Sequence, residues 1–187
     1  DLPLRLRHRG VPVVQALREV GEGITDYAGA DYLEGVRLAI RHLVGGGHRR
    51  IAFLSVAAQT SAREERLRGF TAALGETGAS SAGIVEAELT WEGAAQSAAA
   101  MLALKTRPTA VLCFNDVLAA GLMLGLRRAG CEPGRDLAVV GLDATAPLAG
   151  LGDADAVGVA VSTDLVYASL DRLYLATSGA PTGCCWL

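Results

Sequence analysis

The sequence lacks the features that would point to a membrane or to an anionic partner. None of its apolar runs reaches the roughly 20 residues that a membrane-spanning helix needs, and its first residues lack the apolar stretch of a secretory signal. The net charge of the 187-residue chain is −3, so the chain as a whole has no surplus of basic charge for nucleic acid or anionic lipid. We therefore expect a cytoplasmic protein that does not bind membranes, with a small basic start at Arg5, Arg7 and Arg9.

The sequence also has little that indicates catalysis. Its four cysteines form no Cys-x-x-Cys pair and have no histidine at metal-ligand spacing, so we expect free thiols and no metal site. It contains no Gly-x-Ser-x-Gly elbow, no P-loop, no Gly-x-Gly-x-x-Gly at a helix start and no His-Glu-x-x-His. The three histidines, His8, His42 and His48, share no motif. We therefore expect neither an enzyme nor a bound cofactor.

Apolar runs alternate along the chain with segments of helical periodicity, and 51% of the residues are hydrophobic. The pattern predicts strands at residues 10–15, 51–56, 84–89, 110–114, 137–142 and 157–161. It predicts helices at residues 36–44, 61–74, 93–104, 116–129 and 164–177. Such alternation is typical of βαβ units, which build a parallel sheet with helices on both faces. The predicted fold class is α/β.

Polar side chains follow three of the predicted strands. Ser61 and Arg66 come after the strand at residues 51–56, Asn115 after the next long strand, and Asp143 after the strand at residues 137–142. The carboxyl ends of parallel strands meet at one edge, where ligands of open sheets bind. A guanidinium, an amide and a carboxylate together suit a polyhydroxylated ligand. Trp91 could add a flat apolar face against a sugar ring.

Several of these side chains also have a purely structural interpretation. Ser61 has the spacing of a capping box with Glu64, and Asp116 is a preferred helix-capping residue. Arg63, which follows the same strand, can pair with Glu64 or its neighbour on an exposed helix face. Trp91 can equally be a core residue or an interface residue.

Four segments resemble, in the same order, signatures of the LacI/GalR family of transcription regulators. They are residues 26–55 (DYAGADYLEGVRLAIRHLVGGGHRRIAFLS), 61–74 (SAREERLRGFTAAL), 108–130 (PTAVLCFNDVLAAGLMLGLRRAG) and 136–143 (DLAVVGLD). The resemblance implies a two-lobed fold of the type I periplasmic-binding-protein kind. It also implies a small-molecule effector, commonly a sugar or a nucleobase-type metabolite, that changes the grip of a homodimer on operator DNA.

The same resemblance assigns roles to individual residues. Arg66 matches the main ligand-binding arginine of the family, and Asn115 and Asp143 match its ligand-contacting asparagine and aspartate. Trp91 falls where relatives often stack an aromatic ring on the ligand. Glu34 occupies a position that is polar and sometimes faces the ligand.

The resemblance also predicts the domain organisation. Residues 1–48 correspond to a remnant of the N-terminal lobe, residues 49–160 to the C-terminal effector-binding lobe, and residues 161–187 to a return helix and tail of the first lobe. The family's helix-turn-helix and the first part of its N-terminal lobe have no counterpart, so operator DNA would be bound only through that missing domain. Residues 153–163 depart from the family pattern, which makes Thr163 an uncertain cleft residue.

A solute-binding protein of a sugar transporter is the alternative function. Solute-binding proteins share the two-lobed fold and the sugar chemistry, and fold alone does not separate the two classes. The regulator-type residues around Arg66 and Asn115 favour the transcription regulator.

Overall fold

The computed structural model of the protein describes residues 2–16, 20 and 23–142, and the backbone of residues 165–168 and 173–176. Asp143, Thr163 and the strand predicted at residues 157–161 lie outside this part. The elements follow in the order α1 (Leu2–His8), β1 (Val14–Ala16), β2 (Asp26–Ala30), α2 (Tyr32–Gly45), β3 (Arg50–Val56), α3 (Ser61–Thr77), β4 (Ser80–Ala87), α4 (Trp91–Leu102), β5 (Ala110–Cys113), α5 (Asp116–Arg128), β6 (Ala138–Val140), β7 (Leu165–Ala168) and β8 (Leu173–Ala176).

The chain divides into two compact units. The first unit holds the described residues up to Tyr32 together with strands β7 and β8. Its sheet has the order β1-β2-β7-β8 and is mixed, because β1 and β2 are parallel whereas β2–β7 and β7–β8 are antiparallel. The prediction of parallel strands therefore holds only in part for this unit.

The second unit holds the described residues from Leu33 to Leu142. Its sheet has the order β4-β3-β5-β6, and all its strands are parallel, as predicted. Strands β3 and β5 are buried at every position except Arg50, which requires cover on both faces of the sheet. This explains why both strands are continuous apolar runs in the sequence. We call the edge where these strands end the carboxyl edge, and the opposite edge the amino edge.

Helix α2 belongs to the second unit, although the predicted boundary between the lobes lies after residue 48. Its side chains Val36, Ala39, Ile40 and Leu43 are buried in the same core as strand β3. The division between the units therefore falls between Tyr32 and Leu33. The sequence pattern identified the helix but not the sheet on which it packs.

The helix predicted at residues 164–177 is wrong, because this segment contains strands β7 and β8. The two strands pair in antiparallel register, with Leu165 opposite Ala176 and Ala168 opposite Leu173. Strand β7 also pairs with β2. Short apolar runs fit helical spacing and strand spacing about equally well, so the hydrogen bonds offered by the edge of β2 decide between them.

Helices α4 and α5 approach each other through two glycines of α5. A Cβ atom at Gly121 would lie 2.4 Å from the carbonyl oxygen of Trp91, and one at Gly125 would lie 2.2 Å from that of Ala95. Both distances are too short for a real contact, so only glycine permits this spacing. We call Gly121 and Gly125 the glycine seam. None of the helices in the described part of the chain is long and apolar enough to cross a membrane.

The glycine seam yields a stability prediction. We expect Gly125→Ala to destabilise the protein by about 1–3 kcal/mol, because the added methyl group would force α4 and α5 apart. Gly75→Ala is the matched control, since Gly75 lies in helix α3 with nothing within 4 Å of an added Cβ. This variant should gain about 0.5–1 kcal/mol from helix propensity. Urea denaturation of both variants measures the difference, and equal effects would contradict the close approach of the helices.

Candidate functional site

Helix α3 begins at the carboxyl edge with Thr60 as its N-cap. The Thr60 side-chain oxygen accepts a hydrogen bond from the backbone N–H of Arg63 at 3.2 Å, and Thr60 has extended backbone angles. Ser61 is the first residue of the helix and is half-buried. The prediction that Ser61 caps the helix in a capping box with Glu64 is therefore wrong. The N-cap is the preceding residue, Thr60, which accepts a hydrogen bond from a backbone N–H that has no partner within the helix.

Arg63 contacts three parts of the carboxyl edge. Its guanidinium donates to the Val56 carbonyl oxygen at 2.9 Å and to the Gln59 side chain at 3.0 Å, and it forms an ion pair with Glu86 at the end of β4. The ion pair with Glu86 therefore joins α3 to β4, which the interpretation of Arg63 from its own helix did not include. Glu86 lies near Arg63 because β3 pairs with β4. The two residues are far apart in the sequence, so no local pattern predicts this contact.

Arg66 lies one helical turn further along α3 and is buried, with only 2% of its surface exposed. Its guanidinium carbon lies 4.1 Å from the centroid of the Phe114 ring, which is the distance of a cation–π contact. Phe114 directly follows strand β5 and is itself buried. Phe114 is not among the site residues predicted from the sequence, although an aromatic residue between a buried strand and Asn115 is a usable signal.

Asn115 is the N-cap of helix α5. Its side-chain oxygen accepts a hydrogen bond from the backbone N–H of Leu118 at 3.0 Å. Within the described residues its amide nitrogen has no hydrogen-bond acceptor, so one asparagine can both cap the helix and donate to a ligand. Asp116, the residue predicted as a possible cap, is instead the first residue of the helix and is 3% exposed.

The end of strand β6 approaches this part of the edge closely. A Cβ atom at Gly141 would lie 2.4 Å from the Asp116 side-chain oxygen, so a side chain at position 141 would displace the Asp116 carboxylate. The residues that follow strand β6 therefore lie next to the start of α5. Asp143, two residues after Gly141, lies outside the described residues.

Trp91 is the first residue of helix α4, directly after the N-cap Thr90. The residue is 41% exposed, so it does not belong to the core of the second unit. Its backbone is fixed against α5 by Gly121. Since α4 follows strand β4, Trp91 lies at the same carboxyl edge as Ser61, Arg66 and Asn115.

The structure does not bring Glu34 to this edge. Glu34 lies near Arg37 (3.7 Å) and Arg41 (3.6 Å), and both arginines also pair with Glu76 in the last turn of α3. The residue before Glu34, Leu33, packs against the middle of α3, where a Cβ atom at Gly69 would lie 3.3 Å from the Leu33 Cα atom. Glu34 is therefore part of a charge network between α2 and α3.

The cysteine at the end of β5 is not an activated thiol. Burial raises the pKa of the Cys113 thiol, and the nearby Asp116 carboxylate raises it further. Cys113 therefore stays protonated at neutral pH and does not act as a thiolate. No three metal-binding side chains come together among the described residues.

The sequence and the fold of the chain match known proteins. Residues 40–165 match the periplasmic binding protein-like domain family. The chain belongs to that family. It is 34% identical over 122 residues to the transcriptional repressor PurR of Photobacterium profundum, covering 64% of this chain and 36% of the repressor.

Solved structures of regulators are also similar to it. One is a LacI transcriptional regulator from a Rhodococcus species (31% identity, TM-score 0.72), with 84% of this chain and 58% of that one covered. Another is a LacI-family regulator from Enterococcus faecalis with bound ribose (26% identity, TM-score 0.71), with 83% and 55% covered. The predicted resemblance to effector-binding domains of LacI/GalR-type regulators is thereby confirmed.

The two roles of Asn115 can be separated by mutation. We expect Asn115→Ala to lower the free energy of unfolding by about 1 kcal/mol, because the Leu118 N–H loses its acceptor. Asn115→Asp keeps a capping oxygen and should stay within about 0.5 kcal/mol of the wild type. Chemical denaturation of both variants provides the measurement. A loss in the aspartate variant as large as in the alanine variant would show that the cap is not what Asn115 contributes to stability.

Proposed function

We propose that the carboxyl edge of the second unit binds a small polyhydroxylated effector, most simply a sugar, and that the protein uses it to control transcription. The observation that supports this most is Arg66, a guanidinium buried to 2% exposure and held over Phe114 where β5 passes into α5. Burying a charged side chain is costly. We infer that the fixed donors of Arg66 serve recognition of the effector.

The surrounding side chains supply complementary chemistry. Arg66 offers forked donors, the Asn115 amide nitrogen offers a further donor, and Ser61 offers a hydroxyl group at the start of α3. Trp91 offers an exposed ring at the start of α4. We include Asp143 as the acceptor on the basis of the family pattern, and we leave out Glu34 because of its place in the network with Glu76. The ribose bound in the Enterococcus faecalis regulator supports a sugar.

The regulatory part of the proposal rests on the relatives. The chain spans 36% of the length of the PurR repressor that it matches, so the behaviour of an intact protein is inferred from the family. We propose that the intact protein is a cytoplasmic homodimer that binds operator DNA through a separate helix-turn-helix domain. The effector would then change operator affinity by binding the two states of the protein unequally. The regulators to which the chain is similar favour this function over the transporter alternative.

The test replaces Arg66 with methionine in the intact protein. Methionine fills much of the volume of the arginine stem without its donors, and Arg68→Met, an exposed position on the same helix, is the matched control. Thermal unfolding is measured with D-ribose, D-glucose, D-ribose 5-phosphate and adenosine. A ligand at 100 times its Kd stabilises by about 2.7 kcal/mol, which raises the Tm of a protein larger than this chain by a few degrees.

We expect at least one compound to raise the Tm of the wild type and of Arg68→Met, but not of Arg66→Met. Asn115→Asp, which keeps its helix cap, should lose most of the same shift. An unchanged ligand shift in Arg66→Met would refute the site. If Arg66→Met melts far below the wild type without ligand, the Asn115→Asp variant decides the question.

A further inference from the structure

Asp116 is a buried acidic residue that the proposed effector site does not use. It is 3% exposed and lies in the first turn of helix α5. Burying a charged group is costly, and the partial positive charge of a helix start offsets part of that cost. An exposed carboxylate gains the same stabilisation, as Glu92 does in the first turn of α4. The helix start alone therefore does not account for the burial of Asp116.

The Asp116 carboxylate lies between the ends of two strands. Burial raises the pKa of the Cys113 thiol at the end of β5, and the charge of Asp116 raises it further, so the two side chains are close. A Cβ atom at Gly141, the residue after β6, would lie 2.4 Å from an Asp116 side-chain oxygen. That oxygen therefore packs against the Gly141 backbone. The carboxylate thus contacts the chain where it leaves the sheet.

The sheet alone does not hold the chain after β6. The pairing of β5 with β6 ends where Leu112 lies opposite Val140. The next two residues, Gly141 and Leu142, are nevertheless buried. The side chain of Ala119 also lies against Gly141, 3.3 Å from the position of an added Cβ atom. The first turn of α5 therefore holds this part of the chain beyond the last strand pair.

We propose that Asp116 is a positioning residue of the effector site, whose buried carboxylate fixes the backbone that leaves β6 at the carboxyl edge. At 3% exposure it acts through Gly141 and Leu142 and not through the effector itself. The sequence continues from there to Asp143, the acceptor of the proposed site. The role of Asp116 in binding thus rests on the proposed function, whereas its hold on the end of β6 does not.

Asp116→Asn is the variant that tests this role. Asparagine has nearly the same shape, but it lacks the charge and one of the two acceptor oxygens. Glu92→Gln is the matched control, because it removes an exposed carboxylate from the first turn of the neighbouring helix α4. If Asp116 only stabilised the start of its helix, its loss would lower the Tm without a specific effect on the end of β6 or on the effector.

The first measurement needs no ligand. Hydrogen–deuterium exchange of the intact protein is followed by mass spectrometry for peptides covering residues 138–142 and 50–56. We expect exchange at residues 141–142 to be about tenfold faster in Asp116→Asn, because a buried polar contact is lost. Exchange at residues 50–56, and exchange of both segments in Glu92→Gln, should stay unchanged. Equal acceleration of both segments in Asp116→Asn, or of neither, would overturn the proposal.

The second measurement uses titration calorimetry with D-ribose, D-glucose, D-ribose 5-phosphate and adenosine. For a compound that binds the wild type, we expect unchanged affinity in Glu92→Gln and about tenfold lower affinity in Asp116→Asn, because supporting residues keep a site in its binding geometry. Unchanged affinity in Asp116→Asn would refute the positioning role. If the wild type binds none of the compounds, the proposed function fails, and exchange alone decides whether Asp116 holds the end of β6.

Gly141→Ala tests the same contact from the opposite side and decides the question if Asp116→Asn does not fold. Its methyl group would displace the Asp116 carboxylate, so exchange at residues 141–142 should accelerate. Combining it with Asp116→Ala removes the colliding oxygen. The double variant should therefore exchange no faster than Asp116→Ala alone. Additive effects of the two substitutions would show that Asp116 and Gly141 act independently, which would contradict the proposal.

Discussion

The parallel direction of strands β3 to β6 is the constraint on which the rest of the second unit depends. Because the strands run the same way, every segment that leaves a strand does so at one edge, and every segment that enters one does so at the other. The starts of α3, α4 and α5 are thereby gathered at the carboxyl edge. The ends of α4 and α5 meet the entering loops at the amino edge. Side chains far apart in sequence become neighbours without any long-range motif.

The carboxyl edge shows how one constraint produces a site. Thr60 and Asn115 both cap helices, and each does so because a strand has just ended and a helix has orphan N–H groups to satisfy. Arg66 follows the first cap by less than two turns, and Phe114 directly precedes the second. Placing β3 next to β5 therefore brings the guanidinium over the ring. Local capping chemistry and strand order together generate the contact.

Most of the strands and helices could be predicted from the sequence. The features that could not be predicted depend on contacts between distant parts of the chain or on neighbouring residues of similar chemistry. Strands β3 and β5 were predictable because burial on both faces makes them apolar throughout. The cap was misplaced from Thr60 to Ser61 because both residue types cap well and they are adjacent. The segment 164–177 fitted two periodicities, and only its pairing with β2 selects the strand. The placement of Glu34 depends on how α2 lies on α3, which no local pattern encodes.

The role of Trp91 could not be decided from the sequence, and the glycine seam explains its position in the structure. Tryptophan is often buried for its apolar surface alone, so a core role and an exposed role were equally consistent with its position. The structure separates the backbone of Trp91 from its side chain. The backbone is held against Gly121, where any larger residue would collide with the Trp91 carbonyl oxygen, while 41% of the residue surface is exposed. The glycine seam fixes the start of α4 through close backbone contact. The Trp91 ring can therefore be exposed to solvent, because its position does not depend on packing in the core.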